Sequence, residues 1–221
     1  MSRSSIAEAV GTGLLLYIIV GSGIAAETLG GDPTTQLLAH ALAVGLGLGV
    51  LIAIFQTVSG SHFNPAVTFA FWRSGTVDAR SAAGYAFAQI GGAFAGMVMA
   101  HLSFEMAAVS ISGSVRAGPG LVLAEAVATF VLVFAILALV RTGRAGLVPA
   151  TIGAWVAAIV FATSSTGFAN PAVTVARIFT DSHTGIAPGS VVGFVVAQAL
   201  AALIAAPLAQ YLFPNPVRST R

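Results

Sequence analysis

The sequence predicts an all-α membrane protein: six transmembrane helices plus two re-entrant half-helices in an inverted three-helix repeat, forming one domain over residues 1–221. Three observations carry that expectation. The chain is 57% hydrophobic and 7% charged, with a mean hydropathy of +0.96, whereas a water-soluble domain is about one quarter charged. It holds six apolar runs of bilayer length. The pentapeptide Asn-Pro-Ala-Val-Thr occurs twice, at 64–68 and at 170–174.

At about 20 residues per crossing, the runs fall at 6–24, 36–58, 82–101, 121–140, 147–164 and 188–212. A cleavable leader explains one such run near the N-terminus, not six spread along the chain. Breaks between runs carry turn residues, such as Gly30, Gly31, Asp32 and Pro33 after the first and Gly118, Pro119 and Gly120 before the fourth. Between the second and third runs, and between the fifth and sixth, lies an apolar segment of roughly ten residues, half of what a crossing needs. Each is headed by the pentapeptide. Asn64 and Asn170 are suited to cap a helix, and Pro65 and Pro171 to its first turn, where a missing N–H costs nothing. Ala66 and Ala172 complete the two Asn-Pro-Ala motifs.

The two halves match beyond the pentapeptide. Ala7, Glu8, Ala9 and Val10 recur as Ala124, Glu125, Ala126 and Val127, and Ala88 and Gln89 recur as Ala197 and Gln198. Landmarks offset by 117, 106 and 109 residues define repeat one at about 1–102 and repeat two at about 119–215. Three crossings per unit force the second copy to run opposite to the first, so the half-helices enter from opposite faces and meet near the midplane. Arg3, Arg73, Arg80, Arg141, Arg144, Arg218 and Arg221 fall on one side, Arg116 and Arg177 on the other. The positive-inside bias makes both termini cytoplasmic, in an inner (plasma) membrane protein.

Two helix N-termini abutting at mid-membrane create a positive potential that refuses cations. The amides of Asn64 and Asn170 offer N–H groups to a passing solute, and the carbonyls of 60–63 and 166–169 offer acceptors, since irregular backbone at this depth is tolerated beside a wet cavity. Glu8 and Glu125 are intramembrane carboxylates. We read them as acceptors for the N–H groups of the re-entrant loops rather than as a proton relay, with Gln89 and Gln198 bracing the same loops. His62 is placed at the cytoplasmic mouth or as a packed neighbour of it. His40, His101 and His183 lack ligand spacing, so no metal is expected, and nothing points to a cofactor. The chain has no cysteine, which removes disulfides and thiolate sites. A net charge of +2 does not imply nucleic acid, and no nucleophile, base and oxyanion set converges, so an enzyme is not expected.

These residues resemble the major intrinsic protein family, the aquaporins and aquaglyceroporins. The segment SGSHFNPAVT at 59–68 is close to a family signature, AEAV recurs in the first and fourth runs, and GLGLGV at 45–50 sits where the family has a glycine-rich second span. The resemblance covers nearly the whole chain and implies an aquaporin-like fold, passive conduction and a homotetramer in the lipid bilayer with one pore per subunit. It also exposes a departure. Most family members carry arginine directly after the second Asn-Pro-Ala as part of a narrow outer filter; here that residue is Val173. The other filter positions carried over are Leu46 by matching the glycine run, or Val44 by ungapped counting, then Ala158 to Val160, and Gly167; none is aromatic. Phe168 and Arg177 join His62 as vestibule or pore-lining residues, Arg177 lying one helical turn beyond Val173; a solvated arginine at a helix end is the other reading of that residue.

A wider, aliphatic filter favours small neutral solutes such as glycerol, urea and uncharged metalloid acids, with water. The Val-containing second motif is similar to bacterial aquaglyceroporin-like channels associated with arsenic detoxification, which extends the expectation to arsenite. The rival readings are a water-selective channel, an ion- or proton-permeable channel that lacks the filter arginine, and a secondary transporter, for which inverted repeats are also common.

Overall fold

Proline follows a capping residue at several chain reversals, and those points set the helix boundaries. The computed structural model describes residues 1–214; Arg218 and Arg221, expected beside Arg3, lie outside the described residues. Eight α-helices are present and, among those residues, no strand: α1 (Arg3–Leu29), α2 (Pro33–Ser59), α3 (Pro65–Arg73), α4 (Ala79–Ser103), α5 (Pro119–Arg141), α6 (Val148–Ala162), α7 (Pro171–Ala176) and α8 (Val191–Leu212). Short 3₁₀ turns extend three of them: Ala145–Leu147 before α6, Arg177–Phe179 after α7 and Pro188–Ser190 before α8. Six helical stretches are long and apolar enough to cross a membrane, while α3 and α7, at 9 and 6 residues, are not.

The helices of repeat one run past the apolar stretches because polar caps hold their ends. Ser2 accepts from the Ser5 N–H, Asp32 from those of Thr34 and Thr35, and Asp78 from that of Ser81. The long helices of repeat two have no such side-chain cap at Gly118, Leu147 or Ser190. Hydroxyl bonds from Thr35 and Ser81 hold the exposed Asp32 and Asp78 carboxyls below their ordinary range.

Within each half the first and third long helices pack together, α1 on α4 and α5 on α8, and α2 packs on α6 across the halves. The α1–α4 crossing is built on glycine. A Cβ on Gly92 would overlap the Ala9 carbonyl and one on Gly96 the Gly13 carbonyl, so the backbones touch, as small residues allow in lipid. Gly45 and Gly153 play the same part between α2 and α6. Gly84 and Gly91, by contrast, have no close neighbour from another helix backbone. The half-helices are exchanged between repeats, with α3 against α8 and α7 against α4 as well as against their own halves. This interlocking places the two Asn-Pro-Ala motifs side by side at the centre.

Candidate functional site

Each re-entrant loop turns through three left-handed residues at the same distances before its asparagine. They are Gly60 (φ 85°), Ser61 (52°) and Phe63 (48°) in the first loop, and Thr166 (60°), Gly167 (57°) and Ala169 (48°) in the second. Four of these are not glycine, and each such residue costs on the order of 1–3 kcal/mol. The buried glutamates offset that cost. Glu8, fully buried on α1, accepts from His62 N–H (3.0 Å) and Ser59 Oγ (2.6 Å) on one oxygen, and from Phe63 N–H (2.6 Å) and Gln89 Nε2 (2.8 Å) on the other. Glu125 on α5 accepts from Phe168 N–H (2.8 Å), Ala169 N–H (2.8 Å) and Gln198 Nε2 (2.6 Å). Bonds to a charged acceptor contribute about 1.5–3 kcal/mol each, enough to hold the turn. Gln89 and Gln198 reach the half-helices too, donating to Thr68 Oγ1 (2.9 Å) and Thr174 Oγ1 (3.0 Å). Both carboxylates are engaged on both oxygens within the protein, an arrangement that holds loops in place.

The asparagines join the halves. Oδ1 of Asn64 accepts from Ala66 N–H (2.8 Å) and Oδ1 of Asn170 from Ala172 N–H (3.0 Å), capping α3 and α7. Nδ2 of Asn64 donates to the Ala169 carbonyl (2.7 Å), and Nδ2 of Asn170 to the Phe63 carbonyl (2.8 Å). One of the two N–H groups of each amide is therefore spent across the repeat boundary, leaving one for the lumen. The carbonyls of Phe63 and Ala169 each accept one of these bonds and keep a second lone pair.

Between the halves lies a lumen whose wall includes Asn64, Asn170 and both loops. Its sides are rows spaced by four residues: His40, Val44, Leu48 and Ile52 on α2, and Val148, Ile152, Val156 and Val160 on α6, the spacing that keeps one helix face. Gly167, Val173, His62, Phe168 and Arg177 also line it. Two expectations are corrected. Leu46 is 70% exposed on the outer surface, and Ala158 is exposed as well. Each sits two residues, about 200°, from lumen-facing neighbours, so Val44 takes the place of Leu46, and Val156 and Val160 flank the lumen where Ala158 faces away.

The solvated reading of Arg177 is also corrected: its side chain is 4% exposed. Nε donates to the Thr184 carbonyl, and the guanidinium lies flat against Phe168, 3.4 Å from the ring centroid, a favourable cation–π placement. Arg116 approaches the same ring at 5.2 Å, held by the Gly185 (2.7 Å) and His183 (2.8 Å) carbonyls. The segment 104–118 that delivers it is paired along 178–190 by backbone bonds such as Ser112 N–H to the Ile178 carbonyl (2.8 Å). Sequence reasoning missed His40. Its row with Val44, Leu48 and Ile52 was the available signal.

On the repeat-one side of the lumen His62 stacks on Phe71 (4.6 Å), meets Tyr85 edge-on (5.4 Å) and bonds Thr68 Oγ1 (3.1 Å). It is both lumen-lining and packed. Among the described residues no group of three or more His, Asp or Glu side chains is placed to hold a metal.

Known proteins match this geometry and sequence. Residues 1–169 match the family described as "Major intrinsic protein". The chain is 45% identical to Aquaglyceroporin AqpS of Rhizobium meliloti (strain 1021) over 218 residues, covering 99% of this chain and 93% of that protein. It is 33% identical to the Propanediol uptake facilitator PduF of Citrobacter freundii over 203 residues, 78% of this chain and 74% of that one. The crystal structure of the aquaglyceroporin from Plasmodium falciparum has the same fold, with a TM-score of 0.75 at 20% identity over 96% of this chain and 95% of that one.

Proposed function

The chain belongs to the major intrinsic protein family, and from that premise we propose that it is a passive channel for small neutral solutes, glycerol, urea and uncharged metalloid acids such as arsenite among them, together with water. The observation that carries this reading is Val173 on the lumen wall directly after the second Asn-Pro-Ala. With Val44, Val156, Val160 and Gly167 it makes a stretch of wall without a charged or aromatic side chain. A polyol has a hydroxylated edge and a carbon edge. The free N–H groups of Asn64 and Asn170 serve the first, and the aliphatic rows serve the second. Two helix N-termini capped at the same place disfavour cations.

The working unit is a homotetramer in the bacterial inner membrane, each subunit with its own lumen, and both termini cytoplasmic, as the arginine distribution supports. In that orientation His62 stands at the cytoplasmic mouth and Arg177 at the outer one. Purified protein in liposomes tests the reading: stopped-flow scattering after a glycerol, urea or arsenite gradient shows reswelling well above that of empty liposomes. Permeation by water alone rejects it.

A further inference from the structure

Arg177 is a buried cation with most of its donors unused. Its hydrogen bond to Thr184 employs Nε alone among the described residues, and its two terminal nitrogens, four N–H groups, make none. Phe168 on one side and the Thr184 carbonyl at Nε fix the plane of the guanidinium, and the residue lines the lumen. Among the described residues no carboxylate bonds it: the Asp181 side chain accepts from Gly113 N–H, Glu27 from His183 N–H, and Glu125 from the loop N–H groups and Gln198. A fixed, unneutralised guanidinium at a lumen wall is a ready donor and a positive barrier.

His40 on α2 lines the same lumen, and Thr184, which holds Arg177, fills the space a side chain on Gly23 would take, next to the Ser22 that bonds His40. It is 6% exposed, and Nδ1 lies 2.8 Å from Ser22 Oγ. The Ser22 hydroxyl also lies within reach of the Ile19 carbonyl (3.3 Å). In the tautomer that donates Nδ1–H to Ser22 Oγ, Nε2 of the neutral imidazole is an acceptor. Nε2 makes no hydrogen bond among the described residues.

We propose that Arg177 and His40 form a second selectivity station, set one helical turn outward from Val173. The Arg177 guanidinium repels cations and donates to the oxygen of a solute hydroxyl, and His40, with its proton on Nδ1, accepts a hydrogen bond from that hydroxyl at Nε2. Water or a polyol satisfies both partners at once. A cation meets a like charge, and a solute without a hydroxyl donor leaves His40 unpaired, the kind of mismatch that discriminates strongly at buried polar sites. This inference rests on the channel reading above.

The test separates the two. In proteoliposomes the wild-type chain passes glycerol with little sodium or proton leak. Arg177→Met keeps the length and removes the charge, and it raises the cation leak about tenfold or more. His40→Phe keeps a ring and removes the acceptor; glycerol flux falls several-fold while the cation leak stays at the wild-type level. Since Arg177 is buried, Arg177→Lys serves as the charge-conserving partner: it restores the low leak and, lacking the planar fork, does not restore full glycerol flux. A leak in Arg177→Met equal to wild type, or glycerol flux unchanged in His40→Phe, overturns the station. Should Arg177→Met fail to reach the membrane, the His40→Phe flux alone decides. Absence of glycerol flux in the wild type defeats the channel reading instead, and the Arg177→Met leak still reports on the barrier.

Discussion

The two re-entrant loops share a backbone and differ in what they show to the lumen. In each, the residue two before the asparagine packs against the residue seven after it and against an aromatic ring from the third long helix of its half. Repeat one fills those places with His62, Phe71 and Tyr85, and repeat two with Phe168, Arg177 and Phe194. The left-handed turns, the glutamate and the glutamine–threonine pair are kept in both. Buried polar groups have few ways of being satisfied, so that framework is held; a side chain bordering water is free to change. The apolar packing compensates within each half. The Phe63 ring occupies the space a side chain on Gly11 would take, whereas at the matching places of repeat two Ala169 packs on Ala128.

The strongest way to break this comparison is to remove the glutamates. Glu8→Ala strands the N–H groups of His62 and Phe63, and Glu125→Ala those of Phe168 and Ala169. Each loss is on the order of 3 kcal/mol or more. Both variants show sharply lowered melting in detergent, followed by size-exclusion recovery after heating, and a wild-type melt for either one would end the equivalence of the loops. Next come the crossings. Gly96→Ala drives a methyl into the Gly13 carbonyl and costs about 1–3 kcal/mol. In repeat two Ala205 stands at the corresponding position, and Ala205→Gly costs about 1 kcal/mol or less; the same melts read both.

Flux sharpens the comparison further. Val67 and Val173 occupy the same place in the two pentapeptides and both line the lumen. Val173→Arg adds a further guanidinium and its bulk beside Arg177 and Arg116, and it lowers glycerol flux relative to water about tenfold. Val67→Arg, placed beside His62, has a smaller effect in the same stopped-flow assay. Helix caps give the smallest change. Asp32→Ala and Asp78→Ala lower the melting temperature slightly at neutral pH. Because hydroxyl and backbone bonds hold both carboxyls below their ordinary range, their contribution is present above that range and is lost as pH falls through the lower folded value. Melts in strongly acidic buffer therefore no longer separate variant from wild type.

Much of this architecture was legible in the residues. The doubled pentapeptide and the repeated AEAV and Ala-Gln pairs gave the two halves, since buried glutamates and helix caps leave unusual residues in apolar runs. The lumen wall was harder to read. Leu46 was placed by a glycine run, which reports where helices touch and not which face meets water; the row from His40 to Ile52 carries that information through its spacing of four. For Arg177 the vestibule reading was available, but the choice between it and a solvated helix end was beyond reach for another reason. Its position depends on α7 ending at Ala176 in a 3₁₀ turn and on the segment 104–118 closing over Phe168, and neither leaves a periodic mark in sequence.

The bonds from Asn64 to Ala169 and from Asn170 to Phe63 join residues 105 and 107 positions apart. During synthesis the first half therefore enters the bilayer with one amide and one carbonyl waiting for partners the ribosome has yet to make. A conducting passage cannot exist on a nascent chain that has not reached Asn170. Docking of the second half-helix is thus the event that completes the paired framework at the centre of the subunit.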